Sequence, residues 1–384
     1  MDDVTPVLII ERQPFFWALV DPKASSDMPR VLPFRLGVHP RYAVPRLVLT
    51  DDVRAALDKA YAIGSMPSTP LGESTLARDR LNQTLGKLTE FFGGDMRGRR
   101  LLELGSGNGE FLHELAKRGA DVTGLEIGPQ AKVATEKYGI RVITELFTPG
   151  LLHEKFDVIY SYGCLEHIIE LDDVFAASRE CLNEGGLFFH SVPNSAPLFA
   201  AGNLGHLAHE HVNYFTPVNG VRLLEAQGFV DGGYLATPAG NEVMLWGRYS
   251  SSVQPSWPVG AVASEEDELR RSAETLDRET ARIDAALRDL VASGKSLGFY
   301  AGGYEYSPMV PSTGVRYFDG DSYKHGKAWL TGLPAIESPE ALRSDPVDHL
   351  VICRSHYFDV IVKRLRDMGV TRTTFWNIDE IGRR

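Results

Sequence analysis

Cysteine is scarce. Three residues (Cys164, Cys181 and Cys353) in a chain of 384, without C-x-x-C spacing, argue against a disulfide framework and against a cysteine-built zinc site. No basic stretch is long enough to follow a phosphate backbone. Forty Lys and Arg stand against 51 Asp and Glu, a net charge of -11, so nucleic acid is not an expected partner. No apolar run approaches bilayer-spanning length, and no membrane partner is expected. The opening Met1-Asp2-Asp3-Val4-Thr5 lacks the basic region of a secretory leader, so the expectation is a soluble, cytoplasmic protein. What the chain does have is length enough for two or three domains with ample cores.

Short β-like runs at 7–10, 16–20 and 46–49, separated by proline-bearing turns, make residues 1–60 a small β-rich module. Thr50-Asp51-Asp52 is a cap for a helix to about Ala62, and a second helix is expected from Thr75 to Phe92. Residues 61–250 hold a domain in which strands at 100–104, 121–126, 140–144, 156–161 and 186–192 alternate with helices, the signature of a mostly parallel sheet. Late strands at 229–236 and 242–248 follow. Residues 251–293 form a Ser/Pro/Gly-rich linker and a long charged helix opened by Ser264-Glu265-Glu266-Asp267. Residues 294–384 return to α/β alternation, with strands at 296–300, 314–319 and 349–353, a loop from Lys327 to Ile336 and a helix from Asp359 to Gly369.

The most informative stretch is Leu101-Leu102-Glu103-Leu104-Gly105-Ser106-Gly107-Asn108-Gly109. Apolar strand residues run into glycines, and Phe111 onward reads as helix, an arrangement that lets backbone amides approach a ligand closely. The glycines fall as G-x-G-x-G, where a dinucleotide fingerprint would read G-x-G-x-x-G. A second strand ends in Glu126, whose carboxylate can accept two hydrogen bonds from a ribose diol. Glu145 follows the third strand and is a candidate for the adenine edge or a plain solvated glutamate. Tyr162 and then Glu166-His167-Ile168 lie beyond the fourth, at the edge where open parallel sheets hold ligands. His167 is either a helix-start residue or a substrate contact.

The run His206-Leu207-Ala208-His209-Glu210-His211-Val212-Asn213-Tyr214-Phe215-Thr216 gathers four titratable groups within its first six residues, after the fifth strand. Histidine is suited to proton transfer near neutral pH. The same three histidines also stand close enough to be weighed as metal ligands, or as hydrogen-bonding pins for the loop.

The glycine loop with Glu103 and Glu126 resembles the first two motifs of class I S-adenosylmethionine (SAM) methyltransferases. With the tail included, residues 55–384 resemble the sugar C-methyltransferases that act on nucleotide-linked deoxyketosugars, which join a SAM domain to a C-terminal Rossmann-like domain and carry His-Glu-His-x-x-Tyr-Phe. The fold class implied is α/β: a Rossmann-like methyltransferase domain, a small N-terminal β-rich module and a second, C-terminal Rossmann-like domain. The resemblance implies SAM as cofactor, held by Glu103, Gly105, Ser106, Gly107, Glu126, Glu145 and Tyr162. It implies His211 as general base beside Glu210, with His167 at the sugar, and no metal in the site. Tyr61, His209, Tyr214, Tyr304 and Tyr306 are the expected substrate contacts, Tyr61 opening the segment to Ser68 that answers loosely to the family's sugar pocket. At the tail's strand ends Asp319, Arg354, His356 and Tyr357 join Tyr304 and Tyr306, a mix of aromatic and hydrogen-bonding groups suited to a polyhydroxylated acceptor. The partner expected is a small-molecule acceptor, a sugar or glycosylated metabolite, with a homodimer as a further candidate.

The chain departs from that family in three ways. Residues 1–60 lack the four-cysteine zinc module, Ala208 replaces an aromatic residue, and the tail loop Gly302-Gly303-Tyr304-Glu305-Tyr306 has no lysine. The alternatives are oxygen or nitrogen methylation of a non-sugar metabolite, metal-assisted or not, and a non-catalytic SAM-fold scaffold. The intact Glu103–Gly109 and Glu126 set favours catalysis, because a scaffold has no use for a close backbone turn beside a diol-binding carboxylate.

Overall fold

The computed structural model describes residues 4–24, 26–63, 75–311 and 313–383. The first sheet is antiparallel, built from β1 (Leu8–Pro14), β2 (Val31–Val38) and β3 (Pro45–Leu47) in that order. The β-rich character of this segment is as expected, but its strands are not all the expected ones. Residues 16–20 are not a strand: Phe16 packs on Tyr304 and Trp329, and Val20 alone bridges to Ala328. The ladder partner is β2, whose alternating burial survives Pro33 and Arg35 in its middle.

Helix α1 (Asp51–Ala62) buries Val53, Ala56, Leu57 and Ala60 at helical spacing. Thr50 stands at its N-cap position, yet its hydroxyl bonds the Asp52 side chain and leaves the backbone amides uncapped. Helix α2 (Thr75–Glu90) leads into the central sheet.

That sheet is formed by β4 (Arg100–Leu104), β5 (Asp121–Leu125), β6 (Arg141–Ile143), β7 (Phe156–Tyr162), β8 (Leu182–Pro193), β9 (Phe229–Ala236) and β10 (Glu242–Tyr249). The spatial order is β6-β5-β4-β7-β8-β10-β9; the first five strands run parallel, while β10 is antiparallel to both its neighbours. Helices α3 (Glu110–Ala116), α4 (Ala131–Tyr138), α5 (Leu171–Cys181), α6 (Ser195–Ala201) and α7 (Pro217–Ala226) connect the strands. One face packs a core of Leu104, Ile159, Phe175, Phe188, Phe229 and Leu245; the other packs Leu85, Leu101, Phe111, Leu115, Val158 and Phe189. Strand order reverses between β4 and β7, and the crevice at that switch point is where such sheets bind ligands.

Helix α8 (Val262–Ala292) starts slightly before the expected acidic run. Glu265 is no simple cap: buried, it pairs with Arg222 at 2.7 Å and accepts from Asn219 Nδ2 at 3.3 Å, fixing α8 to α7. The tail sheet is all parallel, ordered β13-β12-β11-β14-β15 from β11 (Leu297–Tyr300), β12 (Val315–Phe318), β13 (Ile336–Glu337), β14 (His349–Ile352) and β15 (Thr374–Asn377). Helices α9 (Ala341–Ser344) and α10 (Phe358–Asp367) accompany it. Two of these strands do not stand out in the sequence: β13 has only two residues, and β15 (Thr-Phe-Trp-Asn) sets its aromatics between polar ends.

One core joins the N-terminal sheet, α8 and the tail: Phe34 and Leu36 share it with Leu269, Leu276 and Ile283, and with Phe299 and Tyr317. The two ends of the chain therefore support each other, and both border the central crevice.

Candidate active site

A single cavity of about 1970 Å³ runs from the glycine loop, across the carboxyl edge of the central sheet, to the strand ends of the tail. Its first end is built by local backbone chemistry. Gly105 and Gly109 have φ of +68° and +75°, the left-handed region that side chains avoid. A Cβ at Gly105 would lie 2.5 Å from Cys164 Sγ, and one at Gly109 would lie 2.6 Å from Ala134 Cβ, so glycine is required by space as well as by conformation. The Glu126 carboxylate is fixed at both oxygens, accepting from Gly107 N at 2.9 Å and Gly128 N at 2.7 Å. Buried Glu103 accepts from Tyr160 Oη at 3.0 Å, and burial holds its carboxyl well above the usual range. Ser106 Oγ is buried with no hydrogen-bond partner among the described residues. A glycine turn too tight for side chains, an oriented carboxylate and an orphaned hydroxyl fit an adenosine-bearing cofactor. Glu145 is exposed at the rim of this end, and Tyr162 forms its wall against Phe111, at 5.2 Å between ring centroids.

The middle of the cavity is lined by Tyr61, Glu166, His167, Glu210, His211 and Glu242. The His-Glu-His loop reaches it through backbone staples. Val212 N and Asn213 N both donate to the Glu166 carbonyl, at 2.8 and 2.9 Å. On the other side Leu47 N donates to Val212 O, and Tyr214 N to Pro45 O, each at 2.9 Å, so β3 holds the loop like an extra strand. His167 Nδ1 lies 2.8 Å from the Glu210 carbonyl oxygen; because that oxygen can only accept, Nδ1 carries the proton and Nε2 presents its lone pair. Burial pulls the His167 pKa down to about 4, so the ring is neutral at pH 7. Burial pushes the Glu166 carboxyl up to about 7, and burial with the Glu166 charge raises that of Glu210 well above normal. The His167 and His211 rings meet edge to face with centroids 5.0 Å apart. The Tyr61 hydroxyl, buried without a partner among the described residues, has its pKa raised by burial and by Glu210.

Several expected contacts lie elsewhere. His209 is 1% exposed and turned into the N-terminal sheet, between the edges of Phe15 and Phe34, with Nε2 3.2 Å from Pro33 O. With His209 facing away from His211, the trio of histidines 206, 209 and 211 does not converge, and the His206 side chain lies outside the described residues. Tyr214 is buried as a brace, its hydroxyl donating to Ala208 O at 3.0 Å and accepting from Ala208 N at 3.2 Å. Tyr304 and Tyr306 are packed against Phe16, Trp329 and Phe299, off the cavity surface. Of the segment from Tyr61 to Ser68, residues 64–68 fall outside the described residues.

The structure adds one pair that the sequence does not single out. Arg80 of α2 lies over the Tyr162 ring at 4.7 Å and pairs with Glu242 of β10 at 2.9 Å. In the tail, Asp319, Arg354, His356 and Tyr357, unlike their expected companions Tyr304 and Tyr306, do line the cavity. Glu305 fills the tail's own glycine turn, accepting from Gly303 N at 2.8 Å with Arg354 Nη1 3.9 Å away.

A doubly wound sheet with a reversed seventh strand, a glycine turn and a fixed acidic residue at the switch point defines the class: a Rossmann-like domain built for an adenosine cofactor. Residues 76–231 match the family described as a methyltransferase domain, and they form a class I SAM-dependent methyltransferase domain. The chain is similar to the C-methyltransferase NovU of Streptomyces niveus, 23% identical over 287 residues, covering 69% of this chain and 68% of NovU. It is also similar to ubiquinone biosynthesis O-methyltransferases. That of Aeromonas salmonicida is 26% identical over 155 residues, with 36% of this chain and 65% of the relative covered. That of Cereibacter sphaeroides is 33% identical over 107 residues, with 26% and 43% covered. The chain thus spans less than two thirds of these O-methyltransferases. Among solved structures, the 1,6-didemethyltoxoflavin-N1-methyltransferase of Burkholderia thailandensis superposes with a TM-score of 0.40 at 18% identity, over 57% of this chain and 96% of that one. Among the described residues, no helix is long and apolar enough to cross a membrane.

Proposed function

We propose that the chain transfers a methyl group from SAM to a small-molecule acceptor of the sugar or glycosylated-metabolite class, with His211 as general base. The observation that carries this reading is the continuity of the cavity from the glycine turn, past His167, Glu210 and His211, to the polar strand ends of the tail. SAM, when bound, supplies a methyl group already activated by its sulfonium. The chain's own task is therefore to position an acceptor and remove its proton.

Glu126, locked by two amides, is the group for the ribose diol, and the Ser106 hydroxyl is available beside it. Arg80 keeps donors to spare beyond its bond to Glu242 and stands in the wall beside Tyr162, suited to a carboxylate. His167, neutral and with Nε2 facing the cavity, accepts a hydrogen bond from an acceptor hydroxyl; His211 takes the proton. Glu210 and Tyr61 orient the same end.

The acceptor class rests on the tail. Asp319, Arg354, His356 and Tyr357 mix aromatic and hydrogen-bonding groups around open space, as sites for polyhydroxylated ligands do. With the Glu305 carboxylate occupying the turn where a diphosphate would bind, the acceptor offers that turn no phosphate. The likeness to NovU, over 69% of this chain, supports transfer to carbon. Incubation with SAM and a panel of keto- and deoxysugars, free and nucleotide-linked, should release S-adenosylhomocysteine with at least one sugar. Turnover confined to non-sugar phenols or amines would overturn the acceptor class.

A further inference from the structure

Glu166, His167 and His211 each present one ligating atom, and the three atoms lie within 4.8 Å of one another. Two imidazoles and a carboxylate facing open space form a donor set that suits zinc-class cations. Bound tetrahedrally at ~2.1 Å, such an ion needs ligand atoms ~3.4 Å apart, a closure of at most about 1.4 Å by side-chain rotation. His167 Nε2 presents its lone pair 3.8 Å from Glu166 Oε1, beyond hydrogen-bond distance. Glu166, 3% exposed, has its second oxygen unpartnered among the described residues, as has Glu210 at 5%. The outer support that metal-binding histidines carry is in place, since the remaining ring nitrogen of His167 donates to the Glu210 carbonyl at 2.8 Å.

We propose that Glu166, His167 and His211 bind a zinc-class divalent cation, and that the cation inhibits methyl transfer by occupying the nitrogen lone pair that the acceptor's proton needs. The inhibitory part rests on His211 acting as base; the binding part does not. No bond is made to substrate, and the ion exchanges only with water and protons.

The test is titration of zinc ion into the chelator-treated full-length protein by calorimetry, with anomalous scattering at the zinc edge to place the ion. One equivalent should bind at Glu166, His167 and His211, with affinity reduced at least tenfold in both Glu166→Gln and His167→Ala. An ion seated elsewhere, or an affinity unchanged in both variants, would overturn the site. Bound zinc should lower turnover in proportion to occupancy, with chelator restoring it. Zinc seated at the three residues while turnover is undiminished would overturn the inhibitory role, and would leave the base assignment to its own test.

Discussion

His167 donates from Nδ1 to the backbone carbonyl of Glu210 at 2.8 Å, and that bond unites two segments distant in the sequence into one site. It fixes the tautomer of His167, sets the pitch of the His-Glu-His loop and brings the two imidazoles edge to face. The loop's backbone is held from one side by Glu166 and from the other by β3, so the N-terminal sheet is part of the active-site frame.

Glu126, proposed to hold the cofactor's ribose, has both carboxylate oxygens fixed by backbone amides. Removing a charged acceptor costs about 1.5–3 kcal/mol, so Glu126→Ala should weaken SAM binding at least tenfold. Calorimetry on the folded variant checks this; an unchanged dissociation constant would remove Glu126 from the site.

His209 and His211 should separate cleanly. His209→Leu removes the bond to Pro33 from a buried pocket and should cost about 1–3 kcal/mol of stability, read from urea unfolding. Its turnover at a permissive temperature should stay within a few-fold of wild type, because the ring faces the sheet.

Arg80 and Glu242 should be coupled. Arg80→Leu strands a Glu242 side chain that is only 9% exposed, and because Arg80 itself is 35% exposed the loss should be about 1–3 kcal/mol. Adding Glu242→Leu should recover part of it. A double-mutant cycle that shows simple additivity would deny the pair.

Acid sensitivity follows from His190, which is fully buried beside Ser161 Oγ at 2.7 Å. Burial lowers its pKa from 6.5 to about 3. Between those values the unfolded chain binds a proton that the native chain refuses, so stability falls as pH falls from 6.5 toward 3. By pH 5.5 this single group should cost about 1.4 kcal/mol relative to pH 7.5. His190→Gln, compared with wild type at both pH values by urea unfolding, should show a pH-dependent loss smaller by that amount.

The glycine loop, Glu126 and the strand–helix alternation were legible because each is written in local chemistry: turn residues, capping and period. Tyr304 and Tyr306 misled because sequence places a side chain at a strand end without saying whether it faces the crevice or the core. The aromatic run at 16–20 looked like a strand but packs against tail residues remote in the chain. Arg80 and Glu242 left no signal, since an arginine on an amphipathic helix and a glutamate opening a strand are both ordinary until the fold brings them to 2.9 Å. The inward turn of His209 depends in the same way on β2, a strand the proline within it conceals.

The central claim is that His211 removes the acceptor's proton. The most direct measurement compares His211→Ala with wild type for SAM affinity and for S-adenosylhomocysteine release with an accepted sugar. Loss of a general base costs about 10²–10⁴ in rate, so turnover should fall by that factor while the SAM dissociation constant stays within about twofold. Turnover within a few-fold of wild type would contradict the account.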